Sequence, residues 1–184
     1  MKKALIFLAE GFEEMEAVTP LDLLRRAGVD AKFVSLSGNL MVTGSHGVAY
    51  RADCLFDVKE AQTADMLILP GGMPGSVHLQ EDETLGKLLC QFHEEGKFVC
   101  AICAAPMVLG HLGILKGKKA TIYPGMEDKL LGATPVAELV CTDGNVVTGR
   151  GPGAAVPFAL TLVSLLEGPE KTAALKESIV YQTV

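Results

Sequence analysis

The sequence predicts a single α/β domain, a mostly parallel β-sheet sandwiched between helices. Three observations predict it. Four apolar runs, Ala4–Ala9, Ala31–Leu36, Met66–Leu69 and Phe98–Ile102, lack the alternation of half-exposed strands and suit a sheet covered on both faces. Helical patterns lie between these runs. The chain has 184 residues, 49% apolar and 21% charged, which is the length and balance of one globular domain spanning 1–184. With 5% aromatics and no Trp, the core is built from Leu, Val, Ile, Ala and Met.

Taken in order, Ala4–Ala9 is the first strand. Such an apolar start also raises a signal peptide. The run ends at Glu10, with Glu13, Glu14 and Glu16 close behind and no cleavage-site pattern, so a strand and a cytoplasmic location are expected. Glu14–Ala27 carries Met15, Val18, Leu21 and Leu24 at helical spacing and stops at Gly28; its Pro20 implies a kink or a frayed first turn. After the Ala31–Leu36 strand, Leu40–Val42 and Val48–Arg51 flank Thr43-Gly44-Ser45-His46-Gly47 as a hairpin. Met66–Leu69 follows. Asp82 caps a helix through Leu85, Leu88, Leu89 and Phe92 to Gly96. Phe98–Ile102 leads into a shorter helix, Pro106–Leu112. Leu139–Thr142 and Val146–Thr148 flank Asp143-Gly144-Asn145, a second hairpin with a strong turn signal. Gly153–Leu166 is an apolar, buried helix, and Glu170–Tyr181 closes the chain.

Several functions are disfavoured at this level. A net charge of −6, with only Arg25-Arg26 and Lys118-Lys119 as basic pairs, argues against general nucleic-acid binding. No apolar stretch reaches the roughly 18–20 residues of a membrane span. Five cysteines at irregular spacing fit reduced thiols better than a disulfide framework. A Walker loop, a G-x-G-x-x-G and a second ligand pair for zinc are all missing, so neither a nucleotide cofactor nor a metal is expected.

Sites in such sheets lie at the carboxyl ends of the strands, which selects three segments. In Phe98-Val99-Cys100-Ala101-Ile102-Cys103-Ala104-Ala105-Pro106 a strand runs into a cysteine, then small residues, then a proline that starts a helix. That composition fits a nucleophile elbow. Cys103 would sit at a helix N-terminus that favours thiolate, with the Ala104 N–H as an oxyanion donor. It fits equally a buried structural cysteine at a strand end. Cys100 and Cys103 spell C-x-x-C, but Cys100 lies inside an apolar strand, which disfavours a redox pair. In Leu69-Pro70-Gly71-Gly72-Met73-Pro74-Gly75 the glycines allow close backbone approach, and the Gly72 N–H is a second candidate donor; plain turn chemistry is the alternative. In Glu10-Gly11-Phe12-Glu13-Glu14-Met15-Glu16 the carboxylates are ordinarily a solvated helix start. If Glu16 points into the sheet end, it meets the Cys103 thiol, and half-burial would keep it protonated.

Together, Ala9-Glu10-Gly11-Phe12-Glu13-Glu14-Met15-Glu16, Leu69-Pro70-Gly71-Gly72, Ala101-Ile102-Cys103-Ala104-Ala105-Pro106 and Gly149-Arg150-Gly151-Pro152-Gly153 resemble the DJ-1/ThiJ/PfpI superfamily, and most closely its DJ-1/ThiJ branch. The motifs come in the family's order and cover essentially the whole chain. The resemblance implies a flavodoxin-like sandwich with added β-hairpins and a homodimer. It implies that Cys103 is the reactive nucleophile and Glu16 its protonated partner, with Gly72 and Ala104 as backbone donors and Arg150 near the site and the dimer contact. It further implies a cofactor-free activity on small aldehydes, of the glyoxalase or deglycase type. The alternative is a non-enzymatic sensor of oxidative stress, or a redox-regulated chaperone, working through oxidation of Cys103.

The chain departs from the pattern in two places. Tyr123 stands where the branch often has a His, and Ser45-His46 replaces a Ser-Arg. Ala104 directly after the nucleophile, where the protease-like branch has His, argues against a peptidase. None of His46, His78, His93 or His111 sits in a recognisable dyad, and each is expected to be solvated or structural. Cys54 is expected to be a peripheral thiol, and Cys90 and Cys141 to face the core.

Overall fold

The computed structural model describes residues 1–182. In chain order the elements are β1 (Lys3–Leu8), α1 (Glu14–Arg26), β2 (Asp30–Ser35), β3 (Met41–Thr43), β4 (Ala49–Arg51), β5 (Cys54–Leu55), α2 (Val58–Ala61), β6 (Met66–Leu69), α3 (Gly75–Glu81), α4 (Glu83–Glu94) and β7 (Phe98–Ile102). There follow α5 (Pro106–His111), β8 (Lys119–Ala120), β9 (Thr134–Pro135), β10 (Val140–Asp143), β11 (Val146–Gly149), α6 (Ala155–Glu167) and α7 (Pro169–Ser178). Seven strands form the central sheet in the order β10-β11-β7-β6-β1-β2-β5, and every pairing is parallel except β10 with β11.

The pleat divides β1 between two cores. Ala4, Ile6 and Leu8 join the core under α1, α6 and α7, while Leu5 and Phe7 join the one under α3, α4 and α5. This is why the run carries no alternation: both faces are dry. The four predicted strands form within a residue of their expected limits. Asp82 caps α4, accepting the Leu85 N–H at 2.8 Å. Among the described residues no helix is long and apolar enough to cross a membrane.

The two hairpins have different fates. β3 and β4 make a separate two-stranded sheet, whereas β10 and β11 extend the central one, with β11 also pairing in parallel with β7. Helices α2 and α3, strand β5 and the β8–β9 pair carry no strong sequence signal and were not anticipated.

Helix α1 buries the expected stripe at Leu24 but not at Met15. Ala17, Pro20, Leu23 and Leu24 face inward, Val18 and Leu21 are half-buried, and Met15 is 55% exposed. Pro20 sits mid-helix without fraying the first turn. It offers no N–H to the Glu16 carbonyl four residues back. The inward rotation carries Glu16 to the sheet.

At the carboxyl end of the sheet, β11 closes tightly on β7. A Cβ on Gly149 would lie 2.8 Å from Ile102 Cγ1 and 3.0 Å from Phe158 Cδ2. Gly149→Ala is therefore expected to cost about 1–3 kcal/mol by overpacking. At this chain length that lowers Tm by roughly 2–10 °C, read by thermal denaturation.

Candidate active site

Cys103 ends β7 with φ +65°, a left-handed backbone rare for a residue with a side chain. The turn is held by its N–H donating to Gly149 O at 2.9 Å and by its carbonyl accepting the Tyr123 N–H at 2.9 Å. Ala104 and Ala105 are buried, and Pro106 opens α5. The strained turn lifts the side chain off the strand end, the backbone geometry of a nucleophile elbow.

Glu16 is fully buried. Its Oε2 accepts the Gly71 N–H at 2.8 Å. Its Oε1 has no hydrogen-bond partner among the described residues. Gly71 lets the two groups meet: a Cβ there would lie 2.6 Å from Cys103 Cβ and 2.6 Å from Glu16 Oε2. Those two atoms are thus no farther apart than twice that distance, and the carboxyl acts directly on the thiol. Gly72 has φ +88°, and a side chain there would strike the backbone of Gly11, Phe12 and Glu13. The N–H groups of Gly72 and Ala104 both point at the Cys103 sulfur, and neither donates to a backbone carbonyl among the described residues. The structure therefore brings together four residues singled out from the sequence: Cys103, Glu16, Gly72 and Ala104.

Burial sets the proton balance. It pushes Glu16 up to about 7, against the opposing Gly71 and Cys103 hydrogen bonds. It also pushes Cys103 up to about 12, with the ionised Glu16 adding to the effect and the Ala104 and Gly72 N–H groups opposing it. The expectation of a thiolate favoured by the helix start is thus reversed while Glu16 is ionised: desolvation outweighs the backbone donors. Two of the influences raising Cys103 come from the Glu16 charge, and they vanish when Glu16 holds the proton. The pair shares one proton.

The other residues fall into place around this centre. Tyr123 is 47% exposed and touches the turn only through its backbone. Arg150 is half-buried directly after Gly149. Glu14, expected on a solvated face, is buried: Oε1 accepts the His46 N–H at 2.8 Å and Oε2 lies 2.9 Å from His46 Nδ1. Burial alone would raise Glu14, but His46 and the backbone donors hold it below the usual carboxylate range, and the bond raises His46 in turn. With Ser45 N–H donating to Phe12 O at 2.8 Å, these bonds clasp the β3–β4 hairpin onto the start of α1. Glu13, Glu14 and His46 hold one potential ligand atom each within 4.8 Å, but those of Glu14 and His46 are occupied by the clasp. Nothing local signals this pairing, which joins residues 32 positions apart.

His78 bonds Glu10 O through Nδ1, and His93 bonds Asn145. Cys100 is fully buried, and burial keeps its thiol well above the ordinary range. All five cysteines are free. Cys141 is buried as expected, whereas Cys90 is only half-buried and lines a surface groove between α4 and α5.

The raised Glu16 has a measurable consequence. Between about 4.5 and about 7 the folded protein holds a proton that the unfolded chain has released, so stability falls as pH rises through that interval and levels above it. The loss is about 3 kcal/mol. Denaturant titrations at pH 5 and pH 7.5 span most of that interval and are expected to differ by about 2 kcal/mol in the wild type. In Glu16→Gln the difference should largely disappear.

The chain matches the DJ-1/PfpI family over residues 2–165. It is 40% identical to the Arabidopsis thaliana protein DJ-1 homolog B, an alignment that covers 98% of this chain and 42% of that protein's length. It is 33% identical to a Pyrococcus horikoshii protein named a deglycase, covering 90% of this chain and 99% of the relative. The solved structure of oxidized Toxoplasma gondii DJ-1 superposes with a TM-score of 0.93 at 34% identity, over 100% of both chains. The sheet order, the elbow and these likenesses agree on the flavodoxin-like architecture, and the chain belongs to the DJ-1/PfpI family.

Proposed function

We propose that this protein converts small reactive aldehydes, of the methylglyoxal and glyoxal class, to hydroxy acids without a cofactor, in the manner of a glutathione-independent glyoxalase or deglycase. The observation that carries the reading is the buried Glu16 carboxyl, poised near neutrality, beside a thiol on a strained turn. A general base works best with its pKa near the working pH. The deglycase name of the Pyrococcus relative supports the same chemistry.

The steps balance on these residues. Glu16 takes the thiol proton as Cys103 Sγ bonds to the aldehyde carbon, giving the pair of thiolate character and carboxylic acid expected from the sequence. The oxyanion that forms is held by the Gly72 and Ala104 N–H groups and then takes the proton, giving a hemithioacetal. Glu16 next removes the proton from that carbon and delivers it to the adjacent carbonyl carbon through an enediol, leaving a 2-hydroxy thioester. Water cleaves the thioester, releasing the hydroxy acid and restoring the thiol. Methylglyoxal and water thus become lactate.

Hydroxy-acid production from methylglyoxal without glutathione is expected from the wild type. It should fall by at least 10³-fold in Cys103→Ser and by at least 10²-fold in Glu16→Gln. No turnover by freshly reduced wild type overturns the reading.

The same two N–H groups and the unpartnered Glu16 Oε1 also suit the oxygens of an oxidised Cys103. This favours a second reading as an oxidative-stress sensor or redox-regulated chaperone. Client protection that depends on Cys103 oxidation, in protein that turns over no aldehyde, would select it.

A cytoplasmic homodimer completes the proposal. Met15 on α1 and Met41 and Val48 on the clasped hairpin are large apolar side chains about half exposed and suited to a second copy. Sedimentation is expected to give twice the mass of the chain, and a monomer would remove this part of the reading.

A further inference from the structure

The loop between β3 and β4 is wrapped around a carboxylate that belongs to α1. Glu14 Oε1 accepts the His46 N–H at 2.8 Å, with the Val48 N–H at 3.5 Å. Its Oε2 lies 2.9 Å from His46 Nδ1 and 3.4 Å from Ser45 Oγ. Gly44 permits the approach, since a Cβ there would strike the carboxylate. Glu13 adds a second carboxylate, its Oε2 3.5 Å from the same Nδ1. Both glutamate side chains are largely buried, whereas the His46 side chain is 69% exposed. Among the described residues His46 is the one cation within 4.0 Å of either carboxylate.

The segment from Glu10 to Glu14 carries this contact to the site. On one side it is bonded to the hairpin. Thr43 N–H donates to Glu10 Oε2 at 3.0 Å, Gly11 N–H to Thr43 O at 2.8 Å and Ser45 N–H to Phe12 O at 2.8 Å. On the other side it is bonded to the turn after β6. Glu13 N–H donates to Gly71 O at 2.9 Å, and Gly75 N–H to Gly11 O at 3.3 Å. That turn holds the reacting groups: the Gly71 N–H donates to Glu16 Oε2 at 2.8 Å, and the Gly72 N–H points at the Cys103 sulfur. One stretch of backbone thus lies between an exposed imidazole and the donors of the buried pair.

We infer that His46 is a positioning residue for the Cys103–Glu16 pair: protonated, it locks the hairpin over Glu14, and the locked hairpin presses the segment 10–14 against the turn that carries the Gly71 and Gly72 N–H groups. The inference deepens the reading above, from which it takes only the Cys103–Glu16 pair as the working site. From α1 the groups facing His46 are Glu13 and Glu14, and from its own hairpin Ser45, which does not titrate near neutrality. The Glu14 bond, then the Glu13 and Glu14 charges, raise the imidazole above its ordinary range. As pH rises through its titration, the ring loses its charge. It can keep a proton on Nδ1 and the bond to Glu14, but the two carboxylates are left uncompensated and the lock weakens. His46 is therefore a pH-sensitive brace set outside the site it serves.

The test compares the full chain as wild type, His46→Gln and His46→Arg. In protein carrying ¹³C-glutamate, the Glu16 carboxyl carbon is identified by its loss from Glu16→Gln, and in the wild type it titrates at about 7. In His46→Gln, Glu16 is expected to bind its proton about threefold more weakly, because a loosened turn admits water to the carboxyl. His46→Arg, a permanent cation, should restore the wild-type value. Loss of a positive charge acting through space alone would move Glu16 the other way. An upward shift, no shift or a failure of arginine to restore therefore overturns the proposal. Hydrogen exchange at the residue 46 amide reads the lock itself. Relative to the intrinsic rate, wild-type protection is expected to fall about threefold between pH 6 and pH 8.5 and to hold in His46→Arg. Protection that falls equally in both, or in neither, overturns the pH dependence and the proposal with it. None of these readouts uses an aldehyde. Their failure leaves the aldehyde reading standing, and an absence of methylglyoxal turnover leaves the positioning role standing.

Discussion

The molecule is organised around a carboxyl and a thiol that meet across a residue with no side chain. Gly71 follows β6, and any Cβ there would meet Glu16 of α1, Ile102 at the end of β7 and Cys103, occupying the space between the carboxyl and the thiol. Burying Glu16 with one oxygen unpartnered costs on the order of 1–3 kcal/mol even in its neutral form. That cost has to be offset by the two apolar cores, which hold α1 and the central strands in place. A carboxyl tolerated at such a cost is a functional-site signal, since a hydrophobic residue of similar volume would pack there more favourably.

Three glutamates in four positions show how environment alone assigns roles. Glu13 caps α1 with a weak 3.5 Å bond to the Met15 N–H. Glu14 is buried but surrounded by donors from the hairpin, and it stays ionised. Glu16 is buried with one backbone donor, and it keeps its proton to near neutrality. The clasp at Glu14 also works on Glu16. By fixing the first turn of α1 to the β3–β4 hairpin, it sets the rotation that turns Glu16 inward and Met15 outward. His46 is the cationic end of that clasp when protonated, so the charge of the clasp is pH-dependent.

What the sequence made legible follows from what is local. The strands were readable because two-sided burial leaves continuous apolar runs, and the elbow because a sharp strand-to-helix turn excludes bulky neighbours at Ala104 and Ala105. The stripe of α1 departs from its periodicity only in the first turn, where Met15 faces outward and Glu16 faces in. Periodicity cannot anticipate a buried charge. The Glu14–His46 pair was invisible for a related reason: it depends on what the fold brings near across 32 positions. Strand β5 and the β8–β9 pair, two residues per strand, are too short to leave a pattern at all.

The reactivity we propose for Cys103 also has a different origin from the one its sequence context suggests. A cysteine at a helix start is ordinarily activated by the dipole and free N–H groups, which lower its pKa and leave a thiolate waiting. Here the same N–H groups are present, but desolvation and the Glu16 charge override them. On the proposed mechanism the pair starts as a thiol beside a base. That arrangement couples nucleophilicity to proton transfer: sulfur becomes anionic only as Glu16 becomes neutral, and the charge passes at once to an oxyanion that the Gly72 and Ala104 N–H groups are already placed to hold. A preformed thiolate would react with any electrophile and oxidise readily. A thiol that ionises only against its partner carboxylate reacts best with a carbonyl able to receive the charge. Burial raises both Glu16 and Cys103, so on the proposed mechanism the burial that makes Glu16 a base near neutral pH is the same burial that restrains the nucleophile, and neither property can be tuned without the other.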